Sequence, residues 1–353
     1  MSKFESIHIQ GFRRLVDVKL ELRPLMVMIG ANGCGKTSFL DAWRLLGRSA
    51  EGKLSDGISI LGGFSELCTR PRATVTEVKP LGLGVKLTKP PHDYFVQLEP
   101  LGWGYNIVSE RSSLSFGPMH NVGFADPETE LSQSSLKEVR AFRDVLSSTF
   151  FARPFDLVSV RQPQSVRPAR LPGEQGETLV SCLYSLRETD RDRFEVVEDT
   201  LRAAFPDFER LEFPPVAAGM LAMAWKDRQF TQPIYMNQFS EGTLRFLWLT
   251  ALLLSRDLPA VTLIDEPEVS LHPELLSLLV GLMREASQRT QLIVATHSDR
   301  LIQFLEPKEV LVADVEDGAA KFTWGDELDI EHGLENYTLD QLWQMGRLGG
   351  RAS

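Results

Sequence analysis

Residues 25–37 read Leu25-Met26-Val27-Met28-Ile29-Gly30-Ala31-Asn32-Gly33-Cys34-Gly35-Lys36-Thr37. From Gly30 onward they fit the pattern G-x-x-x-x-G-K-[ST] without a mismatch. Glycines let the backbone turn so that successive N–H groups converge on a polyphosphate. A helix that starts at the loop adds the positive end of its dipole. In such a loop Lys36 is a point charge for the β- and γ-phosphates, and the Thr37 hydroxyl is a ligand for Mg²⁺. The flanks agree. Leu25 to Ile29 is a continuous apolar run, as expected of a strand buried on both faces. Phe39, Trp43 and Leu46 recur at i, i+4 and i+7, one face of a helix. Strand, glycine loop and helix thus stand in the order the chemistry requires. They predict a nucleotide site at Gly30, Asn32, Gly33, Cys34, Gly35, Lys36, Thr37 and Ser38.

With 353 residues the chain is long enough for two or three domains, or for one large two-lobed unit. A net charge of −10 argues against a strongly basic DNA-coating protein and leaves room for a local basic patch. Cys34, Cys68 and Cys182 are far apart and form no C-x-x-C. That argues against a zinc site or a disulfide framework and suits a reducing cytoplasm. Met1-Ser2-Lys3-Phe4-Glu5 lacks the apolar core of a signal peptide, and the most apolar run, Phe246 to Leu254, is far too short to span a bilayer. The expectation is a soluble, cytoplasmic protein with no membrane partner.

Ile7 and Ile9 alternate with polar residues until Gly11 breaks the run; Val16, Val18, Leu20 and Leu22 alternate again. Both runs predict strands that lead into the buried one. Arg13 and Arg14 between them read either as surface charge or as phosphate-facing arginines. Residues 73–117 predict antiparallel strands, with turns at Lys89-Pro90-Pro91 and Glu99-Pro100. Residues 118–134 are polar and loop-like, and a helix carrying Val139, Phe142, Leu146 and Phe150 is expected after them. Residues 153–176, rich in proline, predict a long irregular connection. Arg161, Arg167 and Arg170 make it basic, as a solvated loop or as a contact for a nucleic-acid backbone. Leu179, Leu183 and Leu186 mark one helix. Phe194, Val197, Leu201 and Phe205 mark another, which stops at Pro206.

A second cluster of chemistry spans residues 234–313. Phe239-Ser240-Glu241-Gly242-Thr243 precedes a helix, Leu244 to Leu254, that is apolar on almost every side and must be buried. Val261 to Ile264 predicts a strand ending at Asp265-Glu266-Pro267. Leu275, Leu278, Leu279 and Leu282 mark a helix. Leu292 to Ala295 predicts a strand ending at Thr296-His297-Ser298, and Val310 to Val312 closes the series. Strands alternating with helices give a parallel sheet flanked by helices. Such sheets carry ligands at the carboxyl ends of their strands, where the loop, Asp265-Glu266 and His297 are all placed. Asp265 then fits the aspartate that holds Mg²⁺ through water. Glu266 is placed to polarise a water against the γ-phosphate, and His297 to bond that phosphate or orient the water. His8, His92 and His332 show no clustering and read as structural.

Gly30–Thr37, Ser240-Glu241-Gly242, Leu263-Ile264-Asp265-Glu266-Pro267-Glu268 and Thr296-His297-Ser298 together resemble the ABC-type ATPase head, in the branch with RecF, the SMC proteins and the OLD-family ATPases. Ser270-Leu271-His272-Pro273, the signature Ser-Glu-Gly-Thr-Leu-Arg, the opening Ile9-Gln10-Gly11-Phe12-Arg13 and the ending Leu339 to Gly350 resemble a group of stand-alone ATPases in that branch. The resemblance implies an α/β P-loop NTPase, a two-lobed head with a mixed, largely antiparallel N-terminal lobe. It places an N-terminal lobe at 1–117, a mostly helical insertion at 118–215 and a C-terminal lobe at 216–353. It implies an ATP hydrolase using Mg²⁺ and an ATP-dependent head-to-tail homodimer. In that dimer Ser240, Glu241 and Gly242 of one copy face the γ-phosphate held by the other, and Glu268 to His272 cross the interface. Arg13 matches a basic residue near the nucleotide; Gln162, with Gln164 second, matches the glutamine that senses Mg²⁺. The chain lacks heptads between Lys36 and Asp265, so no coiled coil is expected, and no nuclease domain is expected after the head. The implied role is a clamp or switch on DNA in repair or in defence against foreign DNA, or a slow ATP-gated module controlling a separate effector such as a nuclease or toxin.

Overall fold

The computed structural model describes residues 4–70, 79–89, 91–113, 116–119 and 128–328. Pro90, His332 and the ending Leu339 to Gly350 lie outside them. The chain divides into two compact units, Met1–Thr149 with Ile293–Ser353, and Phe150–Leu292.

The first unit contains a six-stranded antiparallel sheet in the order Leu15–Glu21, Phe4–Phe12, Leu81–Leu87, His92–Leu101, Gly104–Ser112 and Phe116–Met119. Ile7 pairs with Leu20 and Val85, and Ile9 with Val18 and Leu83. All six are buried, because directly opposed residues share a face and alternation puts every second one there. The helix Lys36–Ala50 covers apolar residues of this unit, with Trp43 edge-on to Phe4 at a centroid distance of 5.2 Å. A second sheet holds Leu25–Ile29. Val310–Glu316 runs parallel to it on one side, and Gln291–Thr296 lies on the other.

Three sequence expectations need correction. The first strand runs through Gly11 instead of stopping there. Gly11 takes φ 64°, and a Cβ would lie 2.5 Å from the carbonyl oxygens of both Lys79 and Pro80, so the glycine answers a close backbone approach and not a break. Pro100 lies in the strand His92–Leu101, opposite Tyr105. The neighbouring strand's pairing ends at Leu98, so the missing proline N–H removes no ladder bond there. The turn comes at Gly102-Trp103, where Gly102 supplies φ 59°. Finally, the helix carrying Val139, Phe142 and Leu146 ends at Ser147, and Phe150 belongs to the strand Thr149–Ala152. The sequence reading also missed Ala319–Trp324, which pairs antiparallel with Val310–Glu316 through Asp317 and Gly318, both at positive φ. That is the signature of a tight hairpin turn.

His92 is almost fully buried in this unit. Its Nε2 lies 3.0 Å from the Ser112 hydroxyl, its ring centroid is 4.0 Å from that of Phe142, and Nδ1 has no hydrogen-bond partner. Burial pushes its pKa below the ordinary 6.5, with the charge of Asp93 opposing. The unfolded chain therefore takes up this proton first as pH falls, so the stability tied to neutral His92 is complete above 6.5 and is lost as pH drops below it. Thermal unfolding midpoints between about pH 5 and pH 7 should fall with acid in the native chain and fall less steeply in His92→Gln. Equal slopes would show that His92 carries none of this dependence.

The second unit is built on four helices, Leu179–Thr189, Arg191–Ala204, Glu241–Leu253 and Leu275–Ser287, in which the third packs against the other three. As expected, Leu244 to Leu253 are buried on every side. The strand Val261–Asp265 has Thr149–Ala152 beside it. Two small sheets, Phe208–Glu212 with Ala224–Asp227 and Ile234–Tyr235, and Gln164–Ser165 with Met220–Leu221 and Pro215–Ala217, were not foreseen. The long connection 153–176 is irregular apart from one short turn, Leu157–Val160, and the two residues Gln164–Ser165. It is tied down by the indole N–H of Trp248, which donates to the Gly173 carbonyl at 2.9 Å. Among the described residues no helix is long and apolar enough to cross a membrane.

Candidate nucleotide site

In the first unit the site grows from Leu25–Ile29, buried along its whole length. At Gly30 a Cβ would meet the Ala313 carbonyl oxygen at 2.2 Å and Cys34 Sγ at 2.6 Å, so only glycine fits. Gly33 and Gly35 take φ of 76° and 112°, the reversals that gather consecutive N–H groups into an anion nest. The helix Lys36–Ala50 starts immediately, with Gly35 as N-cap and no side chain capping its first amides. Those amides and the helix dipole face the loop. Asn32 and Thr37 are exposed, and Ser38 is half-buried.

Lys36 is only 4% exposed. Its Nζ donates to the carbonyl oxygens of Gly30 at 2.6 Å and Ala31 at 3.1 Å. It also lies 3.2 Å from Nδ1 of His297, which follows the strand Gln291–Thr296. An ammonium has donors only, so Nδ1 of His297 is the acceptor, and in the neutral ring the proton sits on Nε2. The structure thus brings Lys36 and His297 together across 261 positions of sequence.

Arg13 occupies the turn between the first two strands at φ 50°. Its guanidinium donates to Asp41 at 2.7 Å, on the loop helix, and its backbone N–H to the Leu67 carbonyl at 2.7 Å. Asp41 is a largely buried carboxylate that sequence reasoning missed. An acid on the inward face of a P-loop helix gives no periodic signal of its own.

In the second unit Ser240 caps the helix Glu241–Leu253 by accepting the Thr243 N–H at 3.1 Å. Ser240 and Glu241 are exposed, and this end of the helix is locked to the segment after Asp265. A Cβ on Gly242 would lie 2.2 Å from the Ser270 carbonyl oxygen, and the Ser270 hydroxyl donates to Glu241 at 2.8 Å. Glu266 and Ser270 take φ of 48° and 65°, conformations that non-glycine residues adopt only when their surroundings enforce them. The far end of the helix is closed by arginines. Arg193 donates to the Leu254 carbonyl and Arg289 to that of Leu253, both at 2.6 Å.

Gln162 is exposed and lines a cavity of about 480 Å³ with Arg161, Asn237 and Gln238, the last two just ahead of the signature. Gln164 is engaged elsewhere, accepting the Val180 N–H at 3.1 Å. Arg161 donates to the Phe239 carbonyl at 2.8 Å, so of the three basic-loop arginines it is spent on the fold, while Arg167 and Arg170 are exposed.

The sheets, the glycine loop and the histidine beside it define a P-loop ATPase with the head fold of the SMC proteins. Residues 89–303 match the family described as "AAA domain, putative AbiEii toxin, Type IV TA system", and residues 3–83 match the one described as "AAA ATPase domain". The chain belongs to the first of these families and is an ATP-hydrolysing enzyme. It resembles the SMC head solved with the C-terminal winged-helix domain of ScpA, at 14% identity and a TM-score of 0.64, over 91% of this chain and 97% of that one. It also resembles the Pyrococcus furiosus Smc head with an extended coiled coil, bound to the C-terminal domain of ScpA. There identity is 13% and the TM-score 0.58, over 98% of this chain and 99% of the other. The SMC head of Thermotoga maritima matches at 11% identity and a TM-score of 0.52, over 91% and 98%. At such identities the likeness establishes the fold. No curated protein compared by sequence matches the chain.

Proposed function

We propose that this ATPase is a nucleotide-driven switch that works as a head-to-tail homodimer. In this reading the amides of Gly33 to Ser38 and Lys36 hold the ATP phosphates, His297 bonds the γ-phosphate or orients the water, and Arg13 and Asn32 stand at the margin of the site. The Thr37 hydroxyl and the Asp265 carboxylate, both hard oxygen donors, hold Mg²⁺, with Gln162 as a further candidate. Bound there, the ion supplies charge neutralisation on the transferring phosphoryl group. Glu266 takes the proton of the attacking water. Ser240, Glu241 and Gly242 of one copy read the γ-phosphate on the other. The observation that carries the reading is the exposed, serine-capped start of an otherwise buried helix, pinned to Ser270 four residues beyond Glu266. A γ-phosphate contact made at that surface would reach the hydrolytic segment through two rigid links.

The substrate of the switch is proposed to be duplex DNA, in repair or in defence against foreign DNA. The description of the matching family, a putative toxin of a type IV toxin–antitoxin system, favours defence. It also favours the second reading, an ATP-gated module acting through a separate effector protein. The SMC heads it resembles were solved with a bound ScpA domain, which is consistent with a protein partner. Duplex DNA separates the two. If the protein is a clamp, DNA raises its turnover, and neutralising Arg167 and Arg170 weakens binding and lowers the salt slope by about 0.9 per lost phosphate contact. No DNA affinity at low salt, with or without Mg-ATP, would exclude the clamp and leave the effector-gating module.

A further inference from the structure

From Leu244 to Leu253 the helix that begins at the signature is buried, and one residue of that stretch is charged. Arg245 is 7% exposed and sits among Leu244, Phe246, Leu247 and Trp248, all buried. A guanidinium in such a place is costly unless every donor is satisfied, and this one is not, since its Nε is buried without a partner. Burial pushes its pKa down, and the charges of Glu241, Glu268 and Glu266 push it back up. A well-packed apolar residue would suit a purely architectural role better.

What Arg245 does hold is specific. Its terminal nitrogen donates to the backbone carbonyl of Glu266 at 2.8 Å. Glu266 is the residue whose φ of 48° places it in the left-handed region without being glycine, a conformation that persists only where the surroundings over-determine it. Pro267 follows and further restricts the residue before it. The direction in which Glu266 sends its carboxylate depends on this backbone geometry. The same helix, one turn earlier, carries Glu241 and Gly242 against Ser270. Three links therefore join the signature helix to residues 266–270, and Arg245 is the one that lands on Glu266 itself.

We infer that Arg245 is a positioning residue for ATP hydrolysis, clamping the strained backbone of Glu266 so that its carboxylate is aimed at the water. This rests on the proposal that Glu266 is the base. Arg245 is directed at the Glu266 carbonyl, so its removal is expected to act on the chemical step and to spare the binding of ATP. Displacement of a catalytic group by about an ångström is enough to lose on the order of 10²-fold in rate.

The test uses the full chain with four variants, Arg245→Met, Arg245→Lys, Glu266→Gln and the double variant Arg245→Met with Glu266→Gln. Each is measured for ATP dissociation constant, turnover and thermal midpoint. Arg245→Met should lose about 10–100-fold in turnover with ATP affinity unchanged. Arg245→Lys should retain most activity, because a single carbonyl needs a single donor and an ammonium supplies it. The double variant should be no slower than Glu266→Gln alone, since Arg245 acts through that carboxylate. If Arg245→Met does not fold, Arg245→Ala assayed with and without methylguanidinium replaces it, and recovery of turnover that equal ionic strength of sodium chloride does not give is the expected result. Turnover of Arg245→Met at the native rate would overturn the inference. So would a lysine variant as slow as the methionine one, losses that multiply in the double variant, or no recovery with methylguanidinium. If Glu266→Gln itself turns over at the native rate, the assignment of the base fails instead, and the inference falls with it.

Discussion

Glu266→Gln is expected to lower turnover by about 10²–10⁴-fold, the usual contribution of a positioned general base. Glutamine keeps the length and shape of the side chain and most of its hydrogen bonds, and loses the ability to take a proton. The backbone at this position is held through its carbonyl by Arg245 at 2.8 Å and takes φ of 48°. The substitution leaves that carbonyl and its clamp in place, so the loss is one of chemistry and not of geometry. Lys36, Thr37 and the loop amides are untouched, and ATP binding should stay within about twofold, since removing a transition-state interaction leaves ground-state binding alone. If Ser240 and Gly242 read the γ-phosphate of the facing copy, ATP has a higher affinity for the dimer than for the monomer and shifts the population towards it. A variant that binds ATP and does not hydrolyse it therefore accumulates in the dimeric state. Single-turnover measurement of phosphate release, beside equilibrium binding of ATP, checks both halves. A native rate of release would remove Glu266 from the role of base.

Lys36→Ala is expected to weaken ATP binding by about 10²-fold or more. Hydrogen bonds to charged groups are worth about 1.5–3 kcal/mol each, 1.4 kcal/mol is a factor of ten, and a lysine in this position reaches two phosphates. Lys36 now serves the loop itself, donating to Gly30 and Ala31. Its truncation leaves those carbonyls short of a donor at a cost of about 1–3 kcal/mol. The fold should survive that loss, because Leu25–Ile29 and the buried face of Lys36–Ala50 remain. Isothermal titration with ATP and a thermal melt of the same sample separate the two effects. A folded variant with native ATP affinity would take Lys36 out of the site. His297 gains a second reading from the same substitution, since its Nδ1 loses the ammonium 3.2 Å away that fixes the tautomer.

The nucleotide loop was legible because a single spacing of glycines, lysine and threonine constrains backbone and chemistry together, and because its flanking strand and helix announce themselves by different apolar periods. Asp265 and Glu266 were legible as the end of a buried apolar run, whereas the helix expected from Leu244 starts at Glu241, with Ser240 as its N-cap. Other features depended on what lay across the fold. Pro100 reads as a turn until the neighbouring strand is seen to end at Leu98. Gly11 reads as a break until Lys79 and Pro80 are found against its Cα. Phe150 continues the helical spacing of Val139, Phe142 and Leu146, and only the strand after Ser147 claims it. Asp317-Gly318 was a readable hairpin signal that the closing Val310 to Val312 run obscured. Arg245 was visible as a lone charge inside an otherwise apolar helix, and that conflict between pattern and residue was the available sign of function. Its target, the Glu266 carbonyl, could not be read from either segment alone. Arg161 is the reverse case. It reads as part of a basic loop open to a ligand, and it is occupied by the Phe239 carbonyl.

The central claim is that ATP drives two copies together through the signature. Light scattering of Glu266→Gln at several protein concentrations, with and without Mg-ATP, tests it most directly. The expected result is a monomer without nucleotide, a dimer with Mg-ATP, and a return to monomer when Ser240→Arg is added, because the arginine obstructs the facing nucleotide. A Glu266→Gln protein that binds ATP and remains monomeric at every concentration would contradict it.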